Sequence, residues 1–221
     1  MRKILKKVKE TLLYGGLEKE QYRAIAPEID EANRKSIIIL SLACMAILTV
    51  RLSLQYSEVP HTNKVVFILA IILFGCMAAA NALLKKSRLI VHCSAYLYIA
   101  FYLWVGILSS IGEGSIHERT TLYLVFLMSA PLLYALNAVE LAAAIAQAEI
   151  AYLILIGKYQ SAYPVYATNK GNSMFFSIIG LGLGIYMANM KFTGIYNVHM
   201  NARMEEIQAL NQELEQNRKE L

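Results

Sequence analysis

Six long apolar runs separated by short polar breaks dominate the chain. They fall at residues 36–56, 65–84, 89–111, 121–136, 139–156 and 174–190. A helix crossing the hydrocarbon core of a bilayer needs about 20 mostly apolar residues. The pattern therefore predicts an all-α membrane protein. Residues 36–190 form a six-helix transmembrane domain, flanked by polar segments at 1–35 and 191–221. The fourth and fifth runs are parted only by Leu136-Asn137-Ala138, which predicts a helical hairpin. The breaks at 57–64, 112–120 and 157–173 are too short to bury a core of their own. Any stimulus would then be read inside the membrane, at these short loops, or by the flanking segments.

Both flanks are amphipathic. At the start, Ile4, Leu5, Val8 and Leu12 share one helical face, and Lys3, Lys6, Lys7 and Lys9 lie around the other. This is the pattern of a helix lying in the headgroups of an anionic leaflet; a solvated basic tail is the alternative. Gly15-Gly16 ends that helix. "APEIDEANRKS" opens the next, with Pro27 at its first position and Glu28, Asp30 and Glu31 near the positive end of its dipole. This second helix is expected to run on into the first span.

At the other end the last span continues without proline to residue 221, a helix of about 70 Å from Met174 at about 1.5 Å per residue. Its polar part carries a heptad. Ile207, Leu214 and Leu221 take a positions, and Leu210 and Asn217 take d positions. In a parallel homodimer Glu213 would face the partner's Arg218, and Asn217 would help set register. The stripe fails just upstream, where Arg203 falls at d. Two heptads are too few to hold a coiled coil by themselves. They suit the start of a longer one.

Composition agrees with the pattern: 57% of the 221 residues are hydrophobic and 17% charged. The net charge is +5, but its distribution is more informative than its sum. Sixteen of the 21 Lys and Arg residues fall on the side that holds both termini and the loop between the second and third runs. By the positive-inside rule both termini are expected in the cytoplasm. About 35 largely polar residues precede the first apolar run, so the start is not a secretory signal. Cys44, Cys76 and Cys93 all lie in apolar runs and read as small packing residues, not a disulfide framework.

Candidate chemistry is sparse. "HERTT", from His117, resembles a phospho-acceptor box but lacks its proline and spacing, and it lies in an outer loop. His92-Cys93 could suggest a metal, yet adjacent residues point to different helix faces and a closed site needs about four ligands; packing or hydrogen bonding fits better. Neither a cofactor nor a metal is expected, and no partner nucleic acid. The most informative residue is Glu149, flanked by apolar residues roughly 13 Å, at 1.5 Å per residue, from Lys158. An ionisable group at that depth costs about 2.5–3.5 kcal/mol on insertion scales unless it is paired or solvated. Arg51 lies in the outer third of the first span. An Arg51–Glu149 contact is therefore expected as the polar centre of the bundle, either a static element or a sensing site. A carboxyl bonded to tyrosine is the other static form. Gly180 and Gly184 in "GLGLG" form a small-xxx-small face, for packing within the chain or between copies. The tyrosine-rich "YLYIAFYLW" of the third span, from Tyr96, could line a ligand pocket or serve as packing and interface anchors.

The segment "LLYGGLEKEQYRAIAPEIDEANRKS", the spans including "TTLYLVFLMSAPLLYAL", and the helix leaving the last span together resemble a bacterial six-span sensor module. That module stands N-terminal to GGDEF diguanylate cyclase domains and, in related proteins, histidine kinase cores. The resemblance covers about residues 12–202. It implies a multi-pass protein of the bacterial inner membrane that dimerises and signals through its C-terminal helix. The output would be cyclic-di-GMP synthesis or His-Asp phosphotransfer, carried out by a domain beyond Leu221. This chain itself is expected to have no enzymatic activity. Two other readings remain. One is a stand-alone membrane protein whose coiled-coil tail recruits a partner. The other is a transporter, against which stands the lack of an internal repeat or broken helix pair.

Overall fold

The computed structural model describes residues 2–54, 61–83, 88–113, 121–160 and 163–220. They form seven helices: α1 (Arg2–Tyr14), α2 (Lys19–Leu54), α3 (His61–Leu83), α4 (Arg88–Glu113), α5 (Thr121–Leu133), α6 (Ala138–Tyr159) and α7 (Tyr163–Glu220). No strand occurs among the described residues. Helices α2, α3, α4, α6 and α7 are long and apolar enough to cross a membrane, and α5 is a shorter apolar helix.

α1 stops where the sequence expects. Gly15 and Gly16 take left-handed φ values of 59° and 84°, and the Gly16 N–H donates to the Glu10 carbonyl at 3.0 Å. Glycine takes this conformation without the Cβ penalty that other residues carry. Gly15 also lies under the Phe192 ring of α7, where a side chain would collide.

α2 begins earlier than expected. It starts at Lys19, so Pro27 lies inside it and not at its first position. The Glu18 N–H donates to the Gln21 side chain at 2.9 Å, and the Tyr22 N–H closes the first turn on the Glu18 carbonyl. Pro27 is tolerated because it is exposed. The carbonyl one turn before it, which loses its helical donor, is on the outside of the bundle.

The helix in the fourth apolar run is also shorter than the run itself. α5 ends at Leu133, shortly after Pro131, and residues 134–137 are not helical. α6 then opens with Asn137 as N-cap. The Glu140 N–H donates to Asn137 Oδ1 at 2.8 Å, and the Asn137 N–H donates to Glu140 Oε2 at 3.4 Å. This reciprocal box satisfies two backbone donors that a helix start leaves free.

α7 is the third correction. Most of the expected outer loop at 157–173 is helical, because α7 starts at Tyr163. Pro164 suits a first turn, where its missing N–H costs nothing. Asn169 Nδ2 donates to Gln160 Oε1 at 3.1 Å, tying this polar first part of the helix back to the end of α6.

α4 is the central helix. It packs against α2, α3, α5 and α6, and it is more deeply buried than the other long helices. Its tyrosines fill the core. Tyr98 is fully buried, with its ring 5.2 Å from Phe74 and 5.1 Å from Tyr134. Tyr102 stacks on Phe126 at 4.4 Å and shares a 2.8 Å hydrogen bond with Ser129. All three cysteines are free; Cys44 is half-buried beside Tyr98, whereas Cys76 and Cys93 face outward and do not pack inside.

α7 passes between α5 and α6 on its glycines. A Cβ at Gly180 would meet the Leu127 carbonyl at 3.4 Å, and one at Gly184 would collide with the Leu141 side chain. Gly182, on the opposite face, has nothing within 4 Å. The small face of "GLGLG" is thus used for packing within the chain.

Candidate functional site

The expected Arg51–Glu149 contact is not formed. Arg51 sits near the end of α2 with its guanidinium 5.2 Å from the ring centre of Phe67 on α3. Glu149 lies on α6, which packs on α4 and α7. The two residues therefore face different parts of the bundle.

Glu149 instead gathers three hydroxyls from two other helices. Ser173 of α7 donates to Oε1 at 2.6 Å. Ser177 of α7 donates to Oε2 at 2.9 Å, and Tyr123 of α5 donates to the same oxygen at 3.2 Å. Ser173 and Ser177 are one turn apart, so both hydroxyls fall on the same face of α7. The Tyr123 ring is fully buried and stacks on Tyr152 of α6 at 4.4 Å. Its backbone N–H, in the first turn of α5, donates to Ser110 Oγ of α4 at 2.7 Å. The group thus links α4, α5, α6 and α7. Hydrogen bonds to a charged group contribute about 1.5–3 kcal/mol each, so three are of the size needed to hold an acidic side chain in an apolar bundle. Hydroxyls can also rotate, which lets this centre change its bonding without moving a helix.

A second polar group lies at the end of the bundle that carries α1; we call it the collar. Asn33 of α2 is buried, and its side chain pairs with the irregular segment between α5 and α6. Asn33 Nδ2 donates to the Ala135 carbonyl at 3.1 Å, and the Ala135 N–H donates to Asn33 Oδ1 at 2.8 Å. Lys191 of α7 donates to the Leu132 carbonyl at 2.8 Å and the Tyr134 carbonyl at 3.0 Å. These carbonyls belong to the end of α5 and the residues just beyond it, where intrahelical donors run out. Farther along α7, Tyr196 accepts from Gln21 at 3.2 Å, and His199 lies 2.8 Å from Glu28 Oε1. Leu17, Ile25 and Ile29 close over Ala188 and Phe192 to form a small apolar core there. Beside it, Arg34 pairs with Glu31 at 2.7 Å. The guanidinium's hydrogen bonds lower the Glu31 pKa from 4.5 to about 2.

His92 bridges two carboxylates, with Nε2 2.9 Å from Glu140 of α6 and Nδ1 3.5 Å from Asp30 of α2. Cys93 beside it faces outward. Among the described residues no group of three His, Cys, Asp or Glu side chains could hold a metal ion. His117 lies outside the described residues.

Beyond the collar α7 continues without a packing partner among the described residues. Every residue from Asn201 to Lys219 is exposed. Ile207, Leu210 and Leu214 remain 57%, 52% and 66% exposed, on one stripe; Leu221 lies outside the described residues. One helix therefore carries Ser173 and Ser177, then the glycines, then the collar contacts, then the apolar stripe.

Sequence reasoning singled out Glu149 and offered a tyrosine partner as an alternative to Arg51, a place that Tyr123 takes, but it missed the two serines. Ser173 was assigned to a loop, and the spacing of Ser173 and Ser177 by four was the available signal. Asn33 carried no signal beyond a polar residue in a polar segment. No family model, curated protein or solved structure matches the chain.

Proposed function

We propose that this chain is the membrane-embedded input module of a bacterial signalling receptor, with both termini in the cytoplasm. α7 is its output rod. The observation that carries this reading is the continuity of α7, a single 58-residue helix about 87 Å long at 1.5 Å per residue. It passes a hydroxyl–carboxylate centre inside the bundle at Ser173 and Ser177 and ends in an exposed apolar heptad. A shift or rotation of α7 at Ser173 and Ser177 would travel to Leu210 through one rigid element. Two copies pair in parallel along Ile207, Leu210, Leu214 and Leu221, and the pair drives a diguanylate cyclase or histidine kinase output domain. The chain itself catalyses nothing. Exposed apolar side chains at heptad spacing favour a helical partner over bulk water. Arg203 interrupts the stripe just after the collar and marks where two packings compete.

Cysteine crosslinking in membranes tests the pairing. Leu210→Cys should crosslink readily across the dimer axis, and Gln212→Cys, at an outward f position, poorly. Equal crosslinking at both would overturn the parallel coil. Restoring the heptad with Arg203→Leu should bias a fused output domain toward one activity level.

A further inference from the structure

We propose that a groove beside the collar is a binding site for one phospholipid with a primary ammonium headgroup, of the ethanolamine class. The groove has a volume of about 800 Å³ and lies between α2, the end of α5 and α7. It runs from Met190 to Ala202, a length of about 18 Å along the helix at 1.5 Å per residue. Its two ends differ in chemistry. Leu132 and Met190, 49% and 54% exposed, form the end nearest the apolar bundle. Glu28 and His199 lie at the other. Lys191 lies between them.

Gly194 lines the groove, and a Cβ there would have nothing within 4 Å. The groove is therefore open where a larger residue would fill it. Glu28 gives one carboxylate oxygen to His199. Its other oxygen, Oε2, is shielded from solvent and has no hydrogen-bond partner among the described residues. A shielded carboxylate oxygen calls for a donor, best a cationic one. Lys191 uses two of its three N–H groups on the Leu132 and Tyr134 carbonyls, which leaves one for an oxygen of a phosphoglycerol group. An anion acceptor near the apolar end, a cation acceptor beyond it and an apolar flank between bundle and solvent match a zwitterionic aminophospholipid. They match neither an anionic lipid without an ammonium nor a soluble anion. This site requires only that the bundle sit in a bilayer. It does not depend on the signalling role of α7.

Native mass spectrometry of the full-length protein tests the site, with phosphatidylethanolamine, phosphatidylcholine or phosphatidylglycerol added at equal concentration. The ethanolamine lipid should be retained as one bound copy, at about tenfold lower concentration than the other two, since a methylated or absent ammonium cannot donate to Glu28. Gly194→Leu fills the groove and should abolish retention. Gly182→Leu, on an open face outside the groove, should not. Glu28→Gln should remove the preference for ethanolamine over choline. The proposal is overturned by equal retention of the three lipids, by no retention of any, or by retention that survives Gly194→Leu. Helix content by circular dichroism confirms that each variant is folded before it is compared.

Discussion

The two polar groups of the bundle solve different problems. Around Glu149 every partner is a side chain, and every donor is a rotatable hydroxyl. At the collar, Asn33 and Lys191 spend their hydrogen bonds on main-chain atoms of the break between α5 and α6. The collar holds a backbone whose own helical bonds have run out, so losing one partner exposes unsatisfied peptide groups. The Glu149 centre can exchange donors at little cost. The same helix, α7, supplies Lys191 to the first group and two serines to the second. A rigid anchor at Lys191 and an adjustable contact at Ser173 and Ser177 would suit the output role proposed for α7.

The sharpest way to break this contrast is at Asn33. Asn33→Ala strands the Ala135 N–H and carbonyl in a buried place, with an expected loss of about 2–4 kcal/mol. Unfolding in mixed micelles should show it as more destabilising than Gly184→Ala or Glu149→Gln. A loss no larger than that of Glu149→Gln would mean that the collar is not the anchor. Gly184→Ala comes next. Its Cβ meets Leu141, and overpacking of this kind costs about 1–3 kcal/mol. Gly182→Ala faces open space and should be close to neutral in the same assay.

At the adjustable centre, Glu149→Gln keeps an acceptor for the hydroxyls at one oxygen position and offers an amide donor to the hydroxyl at the other, and it should cost about 1 kcal/mol. Glu149→Lys should cost more. Arg51 sits on Phe67, away from this carboxylate, so Arg51→Ala and Glu149→Gln should be additive in a double-mutant cycle. A coupling clearly above measurement error would restore the contact expected from sequence alone.

The smallest effect concerns Glu31. Its pKa is lowered in the fold, so its pairing with Arg34 stabilises above the ordinary value of 4.5. That contribution fades as pH falls from 4.5 towards about 2. The Glu31 side chain is 45% exposed, so solvent screening keeps the effect small. The difference in melting temperature between the native protein and Glu31→Gln should shrink over this range. A difference that grows with acid would reverse the sign of the argument.

Hydrophobic runs alone determined that the chain is helical and roughly where its long helices lie, because apolar length is a property of contiguous residues. The heptad after Met204 and the glycine stop of α1 are local in the same sense. The sequence also marked Glu149 as costly, since an acidic residue among apolar neighbours is visible without knowing the fold. A tyrosine partner was one expectation, but which residues would meet Glu149 was not visible. Ser173 and Ser177 are 24 and 28 residues away along the chain, and Tyr123 is 26. Each residue turns a helix by about 100°, so an error of one residue in how α2 sits against its neighbours redirects Arg51 altogether. Asn33 and Ala135 are 102 residues apart and meet only because α5 stops early at Leu133. Helix formation is decided by nearby residues. Helix rotation, and therefore which polar groups meet, is decided by packing across the whole bundle.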